Sequence, residues 1–355
     1  MFSHEKLKRF CKEVFLTMGC PQEHAETAAD VLVTADLRGV DSHGVVRLSG
    51  YVRLWEIGRV NANPNIKVVH ETASTALIDG DRGLGLVVGP EAMKIAIDKA
   101  NQAGTGWVAV KNSNHYGIAG YHAMLALEHD MIGITMTNAS AHVAPTFSVE
   151  RLLGTNPISV AVPAGKEPPF VADFATTPVA YGKIEMYQRK GEPVPLGWLQ
   201  DEKGCPTTNA YATHEGGALV PLGGDREHGS HKGYCLGAIV DIFSAVLSGA
   251  NYGPWVPPFP AYLPVPENPV GQGIGHFLGA MRIDAFRPAD EFKANMDTWI
   301  RRFRRSKPAQ GHKRVLIPGD PEAETMEKRK SRGIPLLESV VEDLKGVADK
   351  FGIKF

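Results

Sequence analysis

The sequence predicts a mixed α/β fold in which helices open and close the chain around a central region of alternating strands and helices. Apolar residues recur at helical spacing from about residue 3 to residue 56 and again near the C-terminal end. Between these stretches, short apolar runs alternate with glycine-rich turns, a texture typical of strands connected to helices. With 355 residues, the chain can form about two domains with a large buried core.

The helical beginning follows from an apolar stripe and its caps. Ser3 is placed to cap a first helix that runs to about Met18, and Pro21 stands where the first turn of a second helix tolerates proline. That second helix is predicted over 25–37, and helical spacing resumes until about Glu56.

The remaining elements follow from apolar runs and the turn residues that separate them. Strands are predicted over 66–69, 75–78, 107–110, 132–137, 158–162, 171–177 and 275–281. Helices are predicted over 90–103, up to about 128, around 183–190, and over 234–247, 288–303 and 336–350. Residues 191–225 are interpreted as surface loops, and the proline-dense segment 254–269 as an ordered extended loop. We expect the last helix to pack on the opening helices.

Composition excludes several classes of function. A net charge of −1 with 22% charged residues gives no general attraction to nucleic acid or to an anionic membrane. The four cysteines show no paired metal-ligand spacing, so we expect reduced thiols, no metal site and a cytoplasmic protein. No secretory signal is visible at the N-terminus, and the apolar segment 236–250 is too short to span a bilayer and is broken by Asp241.

A standard dinucleotide-binding loop is not predicted. The glycines at 83, 85 and 89 follow a GxGxxxG spacing, one residue longer than the Rossmann fingerprint. No acidic residue closes a following strand about 20 residues further on. We interpret this stretch as a tight turn before a helix.

The first candidate site is the stretch Asp41-Ser42-His43-Gly44-Val45-Val46-Arg47. If Asp41 or Ser42 caps a helix there, His43 and Arg47 lie one turn apart on the same face. Arginine can bind a carboxylate through two parallel hydrogen bonds, and histidine can exchange a proton at neutral pH. The alternative is that His43 is a local capping partner and Arg47 a solvated charge.

A second candidate site lies where a predicted strand runs into a helix. Asn114, His115 and Tyr116 concentrate polar groups in a glycine-bearing loop. Free amides at such a helix start can bind a carboxylate or a cofactor phosphate, and His115 can act as an acid or base. The alternative is a histidine that is hydrogen-bonded within its own loop.

Two groups of basic residues each have two possible interpretations. Lys232, at the start of an apolar helix, either meets a phosphate or ribose or is solvated. The basic residues between Arg301 and Arg314 form either a solvated face or a site for the 2′-phosphate of NADP.

Six motifs together are similar to one enzyme family. They are DSHGVVR at 41–47, NHYGIAG at 114–120, GTNP at 154–157, DFAT at 173–176, HKGY at 231–234 and IPGD at 317–320. In this order, they resemble the type-2 malate/L-lactate dehydrogenase family, which also includes sulfolactate, ureidoglycolate and diketogulonate oxidoreductases and some cyclic-imine reductases. The resemblance covers nearly the whole chain and is specific for the family but not for the substrate.

The resemblance implies a nicotinamide-binding fold distinct from the Rossmann fold. It implies a helical domain of residues 1–70 with about 285–355, and a mixed α/β nicotinamide- and substrate-binding region over about 71–284. It further implies a homodimer whose active site lies near the junction of domains and subunits.

The resemblance also implies roles for individual residues. His43 and His115 become the acid/base candidates, unranked, with Ser42 orienting His43 and Arg47 binding the substrate carboxylate. Substrate or nicotinamide contacts are implied for His115, Thr155 and Asn156. Cofactor contacts are implied for Tyr116, Ser140, Asp173, Phe174, Ala175, Lys183, His231, Lys232, Arg314 and Gly319. Two features depart from the family pattern: Asp320 stands where glutamate is common, and the segment 254–269 is expected to reshape the mouth of the pocket.

These residues predict hydride transfer between NAD or NADP and C2 of a small 2-hydroxy or 2-oxo acid. An NADPH-dependent reductase of cyclic imino acids would use the same arginine on a C=N bond. A non-catalytic anion-binding protein on the same scaffold is a further alternative. A hydrolase built on Ser42 and His43 is disfavoured, because adjacent residues seldom aim at each other and no partner acid is placed.

Overall fold

The computed structural model describes residues 1–355 and has a mixed sheet with helices around it. The helices are α1 (His4–Thr17), α2 (Gln22–Leu37), α3 (Leu48–Glu56), α4 (Gly85–Ala103), α5 (Ala119–Met124), α6 (Tyr181–Lys190), α7 (Ser230–Asp241), α8 (Ala289–Arg304), α9 (Asp320–Arg332) and α10 (Glu338–Phe351). The strands are β1 (Lys67–Glu71), β2 (Thr75–Asp79), β3 (Thr105–Ser113), β4 (Met131–Thr137), β5 (Ile158–Val162), β6 (Phe170–Phe174), β7 (Leu199–Gln200), β8 (Pro206–Thr207), β9 (Ala218–Leu219) and β10 (Ile274–Arg282). The predicted mixed α/β class is confirmed.

The seven strands of the main sheet follow the order β1-β2-β3-β10-β4-β5-β6. Only β2 and β3 pair in parallel, and every other neighbouring pair is antiparallel. A Rossmann domain instead has a mostly parallel sheet. The absence of its glycine fingerprint from this sequence therefore agrees with the topology.

One edge of this sheet gathers segments that are distant in the chain. The register pairs Ser113 at the end of β3 with Ile274, and Thr137 at the end of β4 with His276. It also pairs Ile158 at the start of β5 with Phe174 at the end of β6. The loops that carry His115, Ser140, Thr155 and Ala175 therefore all leave the sheet at the same edge.

Helices from both ends of the chain share the largest hydrophobic core. This core of 28 buried residues includes Phe10 of α1, Leu32 of α2, Tyr51 of α3 and Leu344 of α10. The predicted packing of the last helix on the opening helices is thereby confirmed. A second core lies between α4 and the sheet. The division into two domains stays a prediction.

Several element boundaries differ from the sequence prediction. Helix α4 begins at Gly85, five residues before the predicted start, and Pro90 lies within it. The added first turn buries Leu86 and Val88 fully, which stabilises the helix ahead of the proline. Helix α7 begins at Ser230, not Tyr234, and continues as a π-helical turn over Ile242–Val246. The loops of 191–225 contain a small sheet of two-residue strands.

Helix α9 was not predicted. Its sequence, DPEAETMEKRKSR, is so highly charged that no apolar stripe marks a helical period. None of the helices combines the length and the apolar character that crossing a lipid bilayer requires.

Candidate active site

The stretch 41–47 is not the start of a helix. It forms two short 3₁₀ turns, Asp41–His43 and Val45–Arg47, with Gly44 between them, and α3 begins only at Leu48. The predicted side-chain cap by Asp41 or Ser42 is therefore wrong, and Asp41 instead forms an ion pair with Arg329 of α9.

A buried carboxylate explains this break. Asp36 of α2 accepts a hydrogen bond from the Val45 backbone N–H at 2.8 Å. A Cβ atom at Gly44 would lie 2.0 Å from Asp36 Oδ1, so only glycine permits this approach. Asp36 thus positions the turn between His43 and Arg47.

Replacing Asp36 by asparagine tests this arrangement through pH. Burial raises the Asp36 pKa from 3.8 to about 7, against the opposing Val45 N–H. When folding raises the pKa of an acid, the free energy of unfolding is highest at low pH, where the acid is protonated. That stabilisation is lost as the pH rises from the pKa of the unfolded state through the pKa of the folded state. Asparagine retains an acceptor without a charge. We therefore expect the melting temperature of Asp36→Asn minus that of the wild type to be larger at pH 8 than at pH 5. The same difference at both pH values would contradict a raised pKa at Asp36.

The 3₁₀ turns nevertheless bring the predicted residues together. Arg47 Nε donates to the Ser42 backbone oxygen at 2.7 Å, and Ser42 Oγ lies 2.8 Å from His43 Nδ1. The expectation that these adjacent side chains do not meet is therefore wrong. The His43 ring has no hydrogen-bonded carboxylate, so a hydrolytic triad still lacks its acid.

The second histidine lies against the first. The rings of His43 and His115 are stacked with centroids 5.6 Å apart. Tyr51 of α3 places its hydroxyl 2.6 Å from His115 Nδ1, and the Gly117 N–H approaches the same nitrogen at 3.3 Å. A contact within the loop, as in the alternative interpretation, therefore coexists with the contact to Tyr51. These partners engage Nδ1, so Nε2 is left for another group.

Burial and neighbouring positive charge disfavour the protonated form of both histidines. Burial, and then the positive charge of Arg47, lower the His43 pKa from 6.5 to about 4. Burial and the neighbouring His43 and Arg47 hold the His115 pKa well below its ordinary value. A neutral imidazole next to a guanidinium can accept a proton from a hydroxyl group whose neighbouring carboxylate is bound by the arginine.

Part of the predicted cofactor region adjoins this cluster. A Cβ at Gly182, in the first turn of α6, would lie 3.3 Å from Arg47 Nη2 and 3.3 Å from Ser42 Cβ. In the same turn, Tyr181 stacks its ring on His142 at 4.5 Å. The loop of Ser140 and the helix of Lys183 thus meet beside Arg47, and the Lys183 side chain is exposed.

Two of the predicted contact residues are buried. Tyr116 is 1% exposed and lies between the rings of His122 and His276, with centroids 4.3 and 4.7 Å away, so we expect its side chain to support the site rather than to touch a cofactor. Asn156 is also fully buried: its Oδ1 accepts from the Ala139 N–H, and its Nδ2 donates to the Gly237 oxygen. We therefore expect Asn156 to position the loops around it rather than to touch a ligand.

Asp173 occupies the helix start that was predicted to bind an external anion. Its Oδ2 accepts from the Gly120 N–H at 2.7 Å, so the chain's own carboxylate uses this amide. Local desolvation raises the Asp173 pKa from 3.8 to about 6, although the residue as a whole is exposed. Phe174 is exposed, and Thr155 and Ala175 are half-buried at this edge.

The other predicted cofactor residues have different surroundings. Lys232 is exposed on α7, and its neighbour His231 lies 2.9 Å from Arg226 Nη1. Gly319 is buried against Val171 with a φ of +99°, a conformation that favours glycine. The adjacent Asp320, which replaces the family's common glutamate, forms an ion pair with Arg304.

Ion pairs also change the interpretation of the basic run. Arg301 pairs with Glu167 and Asp297, Arg304 pairs with Glu167, and Arg314 pairs with Glu324 of α9. These guanidinium groups already have carboxylate partners. The sequence argument for NADP from this run is therefore weakened.

Sequence reasoning missed three residues of the site. The helical spacing of Tyr51 predicts a core residue, and the side chain is indeed fully buried. Its hydroxyl group nevertheless contacts His115. Asp36 carried a signal, since it is a carboxylate within an alanine-rich apolar helix. Phe259 carried none beyond the unusual composition of its segment.

With this geometry established, comparison with known proteins identifies the family. A family model described as malate/L-lactate dehydrogenase matches residues 2–345. The chain belongs to this family. The resemblance seen in the six motifs is thereby confirmed, and this dehydrogenase-family chain is an oxidoreductase that acts on CH–OH groups.

Individual members of the malate/L-lactate dehydrogenase family are similar over almost their full length. A malate dehydrogenase from Pyrococcus abyssi is 45% identical, covering 99% of this chain and 94% of the relative. An L-sulfolactate dehydrogenase from Methanocaldococcus jannaschii is 39% identical, covering 98% of this chain and 96% of the relative. The solved malate dehydrogenase from Pyrococcus horikoshii OT3 has a TM-score of 0.90 at 42% identity, covering 99% of this chain and 96% of that chain.

Proposed function

We propose that this protein transfers a hydride between a nicotinamide cofactor and C2 of a small 2-hydroxy or 2-oxo acid of the malate, lactate or sulfolactate type. Family membership implies the nicotinamide cofactor. The observation that carries the choice of substrate class is Arg47 beside two stacked, neutral histidines. This set suits a carboxylate next to a carbon that gains or loses a hydroxyl proton.

Arg47 binds and orients the substrate carboxylate. Its Nε is committed to the Ser42 backbone oxygen, which fixes the plane of the guanidinium, and its terminal nitrogens remain for the acid. A carboxylate bound there is held beside His43 and His115. Such positioning lowers the barrier by removing the entropy cost of bringing the reacting groups together.

One of the two histidines exchanges the proton at the substrate oxygen. Ser42 holds Nδ1 of His43, and Tyr51 holds Nδ1 of His115, so each ring can direct Nε2 toward the substrate. During oxidation a neutral ring whose proton is on Nδ1 accepts the hydroxyl proton at Nε2, and during reduction the doubly protonated ring returns that proton from Nε2.

Polar residues at the sheet edge and on α6 and α7 have side chains that suit a dinucleotide. The exposed ammonium groups of Lys183 and Lys232 suit phosphate oxygens, and the accessible Asp173 carboxylate suits ribose hydroxyls. Ser140 and the backbone near Gly319 are further candidate contacts. When bound, the nicotinamide supplies the redox chemistry.

We further propose that the protein is a homodimer. The face of α7 and of the turn that follows it exposes several large apolar side chains, and such contiguous patches favour association. They are Tyr234, Ile239, Ile242, Phe243, Val246 and Leu247. Light scattering coupled to size-exclusion chromatography measures the mass directly, and a monomer would contradict this part of the proposal.

Removing the Tyr51 hydroxyl tests the support of His115. We expect Tyr51→Phe to lower kcat by roughly 2- to 12-fold, because a typical hydrogen bond contributes about 0.5–1.5 kcal/mol. The loss should be accompanied by a shifted pH profile, since the phenol contacts the titrating ring. Steady-state kinetics across pH provide the measurement, and a changed KM with an unchanged profile would indicate a merely structural role.

A substrate panel with both cofactors tests the proposal as a whole. Malate, lactate and sulfolactate are offered with NAD and NADP, and the nicotinamide absorbance is followed. We expect turnover of at least one acid, and the ratio of kcat/KM values then identifies the preferred cofactor. No absorbance change with any acid would revive the non-catalytic anion-binding alternative.

The same panel includes a cyclic imino acid with NADPH. Arg47 would bind its carboxylate in the same way, with C=N replacing C=O. Turnover of the imine without turnover of any 2-oxo acid would replace the proposed reaction by the reductase alternative.

A further inference from the structure

The proline-dense segment 254–269 reaches the active site through one aromatic ring. The Phe259 ring centroid lies 4.8 Å from that of His115 and 5.1 Å from that of Tyr51. The guanidinium carbon of Arg47 lies 5.8 Å from the same centroid. One ring therefore borders both the carboxylate-binding group and a proton-transfer candidate.

The backbone of α3 is shaped to receive this ring. A Cβ atom at Gly50 would lie 2.7 Å from Phe259 Cε1, too close for a real contact. Glycine within a helix is unfavourable relative to alanine, so its presence at a position that only glycine leaves open has a steric explanation. The ring thus lies directly on the helix that carries Tyr51.

A partly buried hydrogen bond anchors the segment next to the ring. Arg59, which follows α3, donates from Nη2 to the Pro258 backbone oxygen at 2.6 Å. The neighbouring prolines restrict the backbone on both sides of Phe259. Phe259 is therefore held over the site by a restrained segment and does not reach it from a free loop.

We propose that Phe259 is a specificity-determining residue that limits the size of the group attached to C2 of the substrate. This inference rests on the proposed function, because Arg47 and the histidines define where C1 and C2 lie. With those atoms placed, the phenyl ring occupies space that a bulky substituent would need. Close-packed sites cannot accommodate added volume without strain.

Enlarging the pocket tests the inference. The kcat/KM values for pyruvate and for phenylpyruvate are measured in the wild type and in Phe259→Ala. We expect the ratio of phenylpyruvate to pyruvate to rise by roughly 10- to 200-fold, the range by which apolar pocket contacts discriminate substrates. Dissociation constants of the two acids from calorimetry measure the size preference in binding and do not require turnover.

A double-mutant cycle with Gly50 gives a second, independent test in case the Phe259→Ala variant misfolds. Gly50→Ala displaces the ring without removing it, so it should change the size ratio when Phe259 is present. It should have no effect on that ratio in the Phe259→Ala background, because the ring with which the added methyl group would collide is gone. Additive effects of the two substitutions would contradict a contact acting through the ring.

Tyr262→Ala is the matched control. This residue lies in the same segment but is 81% exposed, so its removal should leave the size ratio unchanged. An unchanged ratio in Phe259→Ala, in both kinetics and calorimetry, would overturn the inference. A wild type that turns over no acid contradicts the proposed function instead, and the calorimetric ratio still decides the role of Phe259.

Discussion

Arg47→Met is expected to reduce kcat/KM for 2-oxo acids by roughly 30- to 5,000-fold. This range corresponds to about 2–5 kcal/mol for leaving a desolvated charge, here the substrate carboxylate, without its hydrogen-bonded partner. Methionine retains much of the apolar volume of the side chain. The loss therefore reports on the guanidinium, and steady-state kinetics with purified variants measure it.

Two comparisons separate binding from damage to the fold. Arg47→Lys keeps a charge but lacks the planar fork, so we expect an intermediate loss. Arg47 also holds the Ser42 backbone oxygen, so thermal unfolding of each variant shows whether the turn survives. Unchanged kinetics in Arg47→Met would rule out carboxylate binding by this residue, and the proposed function would lose its main support.

Replacement of the histidine that exchanges the proton by glutamine is expected to lower kcat by roughly 10²–10⁴-fold, the usual contribution of a general acid or base. The same variant should lose the pH dependence that this ring imposes. Substituting the other histidine should leave that dependence in place. Kinetics of His43→Gln and His115→Gln across pH therefore assign the roles that the geometry leaves equal.

The depressed pKa values give this experiment a direction. In the wild type, oxidation of the hydroxy acid requires a neutral ring, and the His43 pKa is lowered to about 4. If His43 is the base, kcat/KM for oxidation should therefore persist as pH falls through 6.5, the ordinary histidine value, and decline only near the lowered pKa. A decline centred on the ordinary value would contradict burial of the catalytic ring, and full activity in both glutamine variants would contradict a histidine base altogether.

Local pattern predicted most elements but failed where tertiary contacts override it. Helix α1 has its Ser3 cap, and β5 spans the predicted residues, because periodicity and capping are properties of adjacent residues. Helix α9 lacks an apolar stripe and was missed. The helix expected from 41 onward is interrupted because Asp36, a residue of the preceding helix, takes the Val45 N–H.

The candidate site was predicted as a set of residues and not as a geometry. The motifs identified His43, Arg47 and His115, because histidine and arginine next to glycine in a predicted turn can be recognised from the sequence alone. The same resemblance also pointed to Tyr116 and Asn156, which the fold buries. A side chain's direction depends on the sheet face or loop that it occupies, and a motif does not contain that information.

By itself, the sequence determined the mixed α/β class, the dehydrogenase family and the residue types that its chemistry needs, because these depend on composition, spacing and motif order. Only the tertiary structure decided that the two histidines stack, that Tyr51 meets His115, 64 positions away, and that Phe259 packs against both Tyr51 and His115. The physical reason is that each of these contacts joins segments whose distance is set by packing against the shared core and by the register of the sheet. Neither the packing against the core nor the register of the sheet can be read from residues that are adjacent in the sequence.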